Sequence, residues 1–171
     1  MSYQYMMKEY GKYTQIAQIK GSELIGCSIK APLAQYEKVY VYPMMNISMT
    51  KGTGVVTSCP SDSPDDFAAL RDLQKKKEFR EKYGLKEEQV MPFVPVKIIN
   101  IPEYGDLCAE FLCDKLKINS QNDRDKLKEA KDQAYLKGFN EGTMIIGICK
   151  GEKVSSAKNK VKDYMIKESM A

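Results

Sequence analysis

The pattern of apolar and polar positions changes period along this chain. Residues 38–47 (KVYVYPMMNI) partly alternate β-branched and aromatic side chains with polar ones, which predicts a strand. Pro43 removes a backbone donor there and points to a sheet edge or a bend. Residues 55–58 predict a short strand, entered through Gly52 and Gly54, which mark a tight turn or a close backbone approach. Residues 94–101 (VPVKIINI), flanked by Pro92 and Pro102, predict another strand, and 143–149 (TMIIGIC) a buried one. Residues 106–113 fit either a strand or a helical turn, and the first 13 residues have no clear period.

Three stretches carry the helical period instead. Ser63 suits an N-cap and Pro64 the first helical position, and Asp66 falls where it can complete a capping box. Phe67, Leu70 and Leu73 then line one face, and Gly84 is the expected terminator. A charged amphipathic helix is predicted over 122–137, with Leu127, Ala130 and Ala134 on one side and Gly138 closing it. Val154, Ala157, Val161, Tyr164 and Met165 trace the face of a last helix with no clear stop signal. The chain therefore reads as α+β, with strands early and two helices late, and no internal repeat. Its irregular start and uncapped final helix suggest a piece of a larger protein.

Composition narrows this picture. With 171 residues, 43% hydrophobic and 29% charged, the chain suits one globular domain with a real core. A formal charge of +4 fits nucleic-acid contact but is too small to argue for it alone. There is no histidine, which excludes a Ser-His-Asp or Cys-His mechanism within this chain. Five cysteines without a CxxC and without histidine argue against zinc and for reduced thiols in a cytoplasmic setting. No signal peptide and no apolar run of membrane-spanning length is present, so no membrane partner is expected.

The chemistry concentrates in 52–66, GTGVVTSCPSDSPDD, where Asp62, Asp65 and Asp66 crowd a strand-to-helix junction. Helix capping accounts for this charge through the dipole, at about 0.3–1 kcal/mol per residue. The same carboxylates are also suited to an ammonium group, and spacing does not separate the two roles. A calcium loop needs about twelve residues and a terminal glutamate, so no metal is expected. GTGVVTS lacks the GxxxxGK[ST] phosphate-loop pattern. Cys59 reads as a packed thiol, and the lysines at 75–77 and 158–162 as solvated faces.

The junction and its surroundings resemble a known family. GTGVVTSCPSDSPDDFAALRDLQKKKEFREKYGL is similar to the editing (CP1) insertion of leucyl-tRNA synthetases of the eukaryotic and archaeal type. SELIGCSIKAPLAQYEKVYVYPM before it, and KINSQNDRDKL and YLKGFNEG after it, extend the likeness to nearly the whole chain. The resemblance implies a β-barrel-like editing fold of the valyl-, isoleucyl- and leucyl-tRNA synthetase type, with flanking helices and an α/β insertion. Residues 1–90 would be the C-terminal part of the editing core and 91–171 the insertion. The implied activity is hydrolysis of mischarged aminoacyl-tRNA(Leu), with the tRNA 3′ end and the rest of the synthetase as partners. ATP and magnesium would serve a ligase site outside this region, which itself needs no cofactor.

The resemblance also assigns residues. Asp66 would anchor the α-amino group of the misacylated amino acid, and Thr53, Val55, Thr57, Cys59 and Asp62 would surround the substrate. The family often has an aliphatic residue in place of Cys59, and bacterial members have an aspartate where Ser63 stands. The family's threonine-rich segment (TxRPET-like) and its ligase signatures are not found in the sequence, so the chain is expected to correspond to the later part of an editing domain. The lack of histidine agrees with a family mechanism that relies on positioned water and substrate hydroxyls. A non-catalytic module binding tRNA or protein is the alternative reading, and a free-standing trans-editing enzyme a weaker one.

Overall fold

The computed structural model describes residues 14–48 and 55–170, and the expectations for residues 1–13 and for Gly52, Thr53 and Gly54 lie outside them. The described elements are β1 (Ser28–Ile29), β2 (Val39–Tyr40), α1 (Pro64–Lys75), α2 (Lys77–Lys82), β3 (Ile99–Asn100), α3 (Cys108–Lys115), α4 (Arg124–Glu141), β4 (Thr143–Met144) and α5 (Val154–Lys167). Short 3-10 turns occupy Gly21–Glu23 and Glu87–Gln89. The fold is α+β, as the sequence indicates, but its strands are much shorter than expected.

β1 pairs antiparallel with β2, Ser28 opposite Tyr40, and β3 pairs antiparallel with β4, Ile99 opposite Met144. The strand predicted over 38–47 stops at Tyr40 because Pro43 brings no donor and a turn follows at Met45 and Asn46. Residues 55–58 form no strand here. In 94–101 only Ile99 and Asn100 enter a strand. Ahead of them, side chains take the backbone groups a ladder would use. The Tyr36 hydroxyl donates to the Val94 carbonyl at 3.1 Å and accepts the Val94 N–H at 3.0 Å, and the Gln74 amide donates to the Phe93 carbonyl at 2.7 Å. The strand predicted over 143–149 is also cut to two residues. Gly147 and Gly151 have φ of 77° and 89°, and they fold the chain back so that Met144 receives the Gly151 N–H at 2.7 Å.

The ambiguous segment 106–113 resolves as helix α3, and it builds the core. Cys108, Ala109, Leu112 and Cys113 of α3 pack against Phe67 and Ala68 of α1 and Leu127, Ala130 and Ala134 of α4. The small residues on α4 let three helices approach closely, which a face of leucines would prevent. α4 does not close at Gly138. That glycine lies inside the helix against Ile101, and the helix runs to Glu141 with Gly142 as its cap. α5 ends at Lys167 rather than running on. Ser169 takes a left-handed φ of 54°, and the Met170 N–H reaches back to the Met165 carbonyl at 2.8 Å, a Schellman-like stop without glycine.

A second cluster lies within the first 90 residues. Leu70 and Leu73 on the other side of α1 pack with Leu85, Val90, Ile25, Tyr42, Phe79 and Tyr83. The single helix expected from Ser63 to Gly84 breaks at Lys76, whose backbone is extended. The buried Arg80 explains why the break holds. Its guanidinium donates to the Leu73 and Gln74 carbonyls, both at 2.9 Å, and so satisfies acceptors that the end of α1 leaves free. Gly84, with φ of 66°, ends α2 as predicted.

Candidate functional site

The start of α1 is fixed by α3. Pro64 occupies the first helical turn after Ser63, as read from the sequence. The preceding loop lies under α3: the Ser61 carbonyl accepts the Ala109 N–H at 3.0 Å, and the Cys108 and Cys113 thiols donate to the Asp62 and Pro64 carbonyls at 3.7 Å. Burial pushes the Cys108 thiol up to about 12 and Cys113 up to about 11, so both remain protonated donors. Three aspartates on this platform then meet three different environments.

Asp65 is buried and already has its partners. Its carboxylate takes the Lys131 ammonium at 2.6 Å and the Asn46 amide at 3.3 Å. That hydrogen bond raises the Lys131 amine above its ordinary value. Asp66 does not form the capping box with Ser63, because the Ser63 side chain makes no cap hydrogen bond. Its carboxylate instead reaches back over the loop and accepts the Cys59 N–H at 2.7 Å. Desolvation raises the Asp66 carboxyl, while the Cys59 amide and the Ser63 hydroxyl oppose that rise. Asp62 accepts the Ser61 hydroxyl at 2.5 Å on Oδ2, and its Oδ1 is buried without a partner among the described residues. Burial pushes the Asp62 carboxyl up to about 6.

A cleft of about 400 Å³ opens over these groups. Thr57, Cys59, Asp62 and Asp66 line it, so four of the residues singled out in the sequence come together. Val55 is half-exposed beside the cleft, and its neighbour Val56 supplies the wall. Thr53 lies outside the described residues. Desolvation raises the Cys59 thiol, and Asp66 and Asp62 raise it further, which disfavours the thiolate of a nucleophile; the residue is exposed at the cleft and not packed as the sequence suggested.

Sequence reasoning missed the opposite wall. Lys131 and Tyr135, one turn apart on α4, face the cleft, and the Tyr135 hydroxyl donates to Ser63 Oγ at 3.2 Å. Met44, Asn46 and Ile47 close the third side. The one available signal was that Lys131 and Tyr135 flank the apolar stripe of α4. Chemically, the cleft offers one carboxylate paired with a lysine and two without an ion pair among the described residues, against an apolar rim, an arrangement that suits a small amine with an aliphatic side chain. Among the described residues no group of three His, Cys, Asp or Glu is placed to hold a metal. No described helix is long and apolar enough to cross a membrane.

Comparison with known proteins places this geometry. The chain is 52% identical over 166 residues to the cytoplasmic leucine–tRNA ligase of Pongo abelii, covering 97% of the chain and 14% of that protein. It is 52% identical over all 171 residues to the putative cytoplasmic leucine–tRNA ligase of Schizosaccharomyces pombe, of which it spans 15%. Among solved structures, the crystal structure of GlLeuRS-CP1 superposes with a TM-score of 0.86 at 38% identity, over 96% of this chain and 63% of that one. The cytosolic leucyl-tRNA synthetase editing domain of P. knowlesi gives a TM-score of 0.81 at 36% identity, over 88% of this chain and 50% of that one. No protein-family model matches the chain.

Proposed function

Because the chain belongs to the cytoplasmic leucyl-tRNA synthetase family, within its CP1 editing domain, we propose that its cleft takes part in hydrolysing tRNA(Leu) charged with the wrong amino acid. The observation that carries this reading is the division of labour among the three aspartates. Lys131 pairs with Asp65, and the Cys59 N–H orients the Asp66 carboxyl at the cleft. An α-ammonium entering the cleft would find Asp66 as its fixed counter-charge. The ester carbonyl would then be held in one orientation for water, so that much of the gain comes from positioning rather than proton abstraction. Such a second sieve is needed because one methylene in a binding pocket separates substrates by only about 1–3 kcal/mol.

Asp66 is the catalytic residue in this reading, with Thr53, Val55, Thr57, Cys59 and Asp62 around the substrate. The partners are the 3′ end of the mischarged tRNA and the rest of a cytoplasmic synthetase. ATP and magnesium act at the ligase site elsewhere in such an enzyme, and this region works without a cofactor. The β1–β2 sheet belongs to a β-barrel-like editing core, of which residues 1–90 are the C-terminal part, and the β3–β4 sheet lies in the insertion formed by 91–171. α1 supports that organisation by packing one face into each part.

The test is Asp66→Ala in a complete leucyl-tRNA synthetase carrying this sequence, assayed for release of norvaline or isoleucine from mischarged tRNA(Leu). Deacylation should fall by two orders of magnitude or more, about 2.7 kcal/mol, the scale of losing one preorganised electrostatic contact. Deacylation at the unsubstituted rate would refute the assignment. A thermal melt of the same variant separates this loss from the helix-dipole effect, which is at most about 1 kcal/mol.

A further inference from the structure

Gln121 is a polar side chain almost wholly inside the protein, 1% exposed, in the turn between α3 and α4. Its backbone N–H donates at 3.1 Å to Asp72, a buried aspartate of α1 that also accepts the Ser120 hydroxyl at 3.0 Å and pairs with Lys76 at 2.6 Å. That network fixes the Gln121 backbone to α1. The side chain then points away, and its Oε1 accepts the Met45 N–H at 3.0 Å across 76 residues of sequence. The amide Nε2 is buried with no partner among the described residues, so half of this side chain's hydrogen-bonding capacity is unused. An apolar side chain of the same length would fill the site without that cost, so the retained carbonyl points to a task at Met45.

Met45 belongs to the turn that carries the Met44, Asn46 and Ile47 wall of the cleft. Among the described residues no strand ladder holds them. Among the described residues, two hydrogen bonds tie the turn to the helical body: Met45 to Gln121, and Asn46 to Asp65 at 3.3 Å. The first is shorter and buried at its acceptor. We propose that Gln121 is a positioning residue, which sets how far the 44–47 wall stands from Asp66 and hence the size of aliphatic side chain the cleft admits. This rests on the editing function proposed above for the cleft, since size selection presupposes an amino-acid substrate.

The experiment compares Gln121→Met, which keeps length and removes the acceptor, with Gln121→Glu, which keeps an acceptor oxygen. Hydrogen exchange at the Met45 amide is followed by NMR in this chain, and deacylation of norvalyl- and isoleucyl-tRNA(Leu) in a synthetase carrying this sequence. In Gln121→Met, Met45 should exchange about tenfold faster, the ordinary worth of one hydrogen bond, while the Leu112 and Leu127 amides keep their protection. The norvaline-to-isoleucine ratio of kcat/KM should shift severalfold, and Gln121→Glu should restore Met45 protection. Unchanged Met45 exchange in Gln121→Met overturns the proposal, and so does faster exchange with an unchanged ratio. A wild-type synthetase that leaves both esters intact would refute the editing function, and the Met45 exchange would still decide whether Gln121 holds the wall.

Discussion

Two glycines four residues apart, one inside α4 and one capping it, make opposite predictions for the same substitution. A Cβ at Gly138 would meet only Ile101 Cδ1 at 3.6 Å, an ordinary contact, in the interior of a helix. Gly138→Ala should therefore stabilise the protein by up to about 1 kcal/mol, the helix-propensity difference between the two residues. A Cβ at Gly142 would lie 2.2 Å from the Gly138 carbonyl oxygen and 2.7 Å from Ile99 Cγ2. The backbone at Gly142 is ordinary, with φ of −64° and ψ of 145°, so the obstacle is contact and not conformation. Relieving it must push the end of α4 away from β3. That overpacking costs about 1–3 kcal/mol. The Gly142 N–H to Gly138 carbonyl hydrogen bond, 3.2 Å long, would be lost at about another 1 kcal/mol. Gly142→Ala should thus destabilise by about 2–4 kcal/mol. Urea unfolding followed by circular dichroism measures both variants, and equal slopes of free energy against urea would show that the unfolded states are comparable. If Gly138 terminated the helix in a left-handed conformation, Ala there would be the damaging change. A destabilised Gly138→Ala beside a neutral Gly142→Ala would refute this account of α4.

Two further outcomes follow from buried polar groups. Asp62 has its folded-state value raised from 3.8 to about 6, so the folded protein holds the proton more tightly than the unfolded chain. Its contribution is fully present below about pH 4 and is lost as the pH rises through about 6, with an upper bound of about 3 kcal/mol set by the shift. Thermal melts between pH 4 and 7 should show this fall, and Asp62→Ser should flatten it; an equal slope in both proteins would rule out Asp62 as its source. Arg80→Met removes the guanidinium that binds the Leu73 and Gln74 carbonyls, and the loss should be about 2–4 kcal/mol in urea unfolding. A loss below about 0.5 kcal/mol would show that those carbonyls find other partners.

Residues close together in sequence set the local features. Pro64 after Ser63 fixed where α1 begins, and the spacing of Leu127, Ala130 and Ala134 fixed which face of α4 is buried. Gly84 fixed the end of α2, and the junction motif carried the family. These depend on neighbours within a turn or two, and local conformational preference decides them. Tertiary structure decided the rest. Whether 94–101 extends as a strand depended on Tyr36 and Gln74 competing for its backbone groups. Whether one helix or two follows Ser63 depended on Arg80 reaching the freed carbonyls. Asp65 and Asp66 are adjacent in sequence and read alike, yet Lys131, 66 residues from Asp65, pairs with Asp65, while Asp66 turns to the Cys59 N–H at the cleft. No period or cap signal encodes that choice. A carboxylate's role is set by which distant groups packing brings within hydrogen-bonding reach, and here packing across α1, α3 and α4 made it.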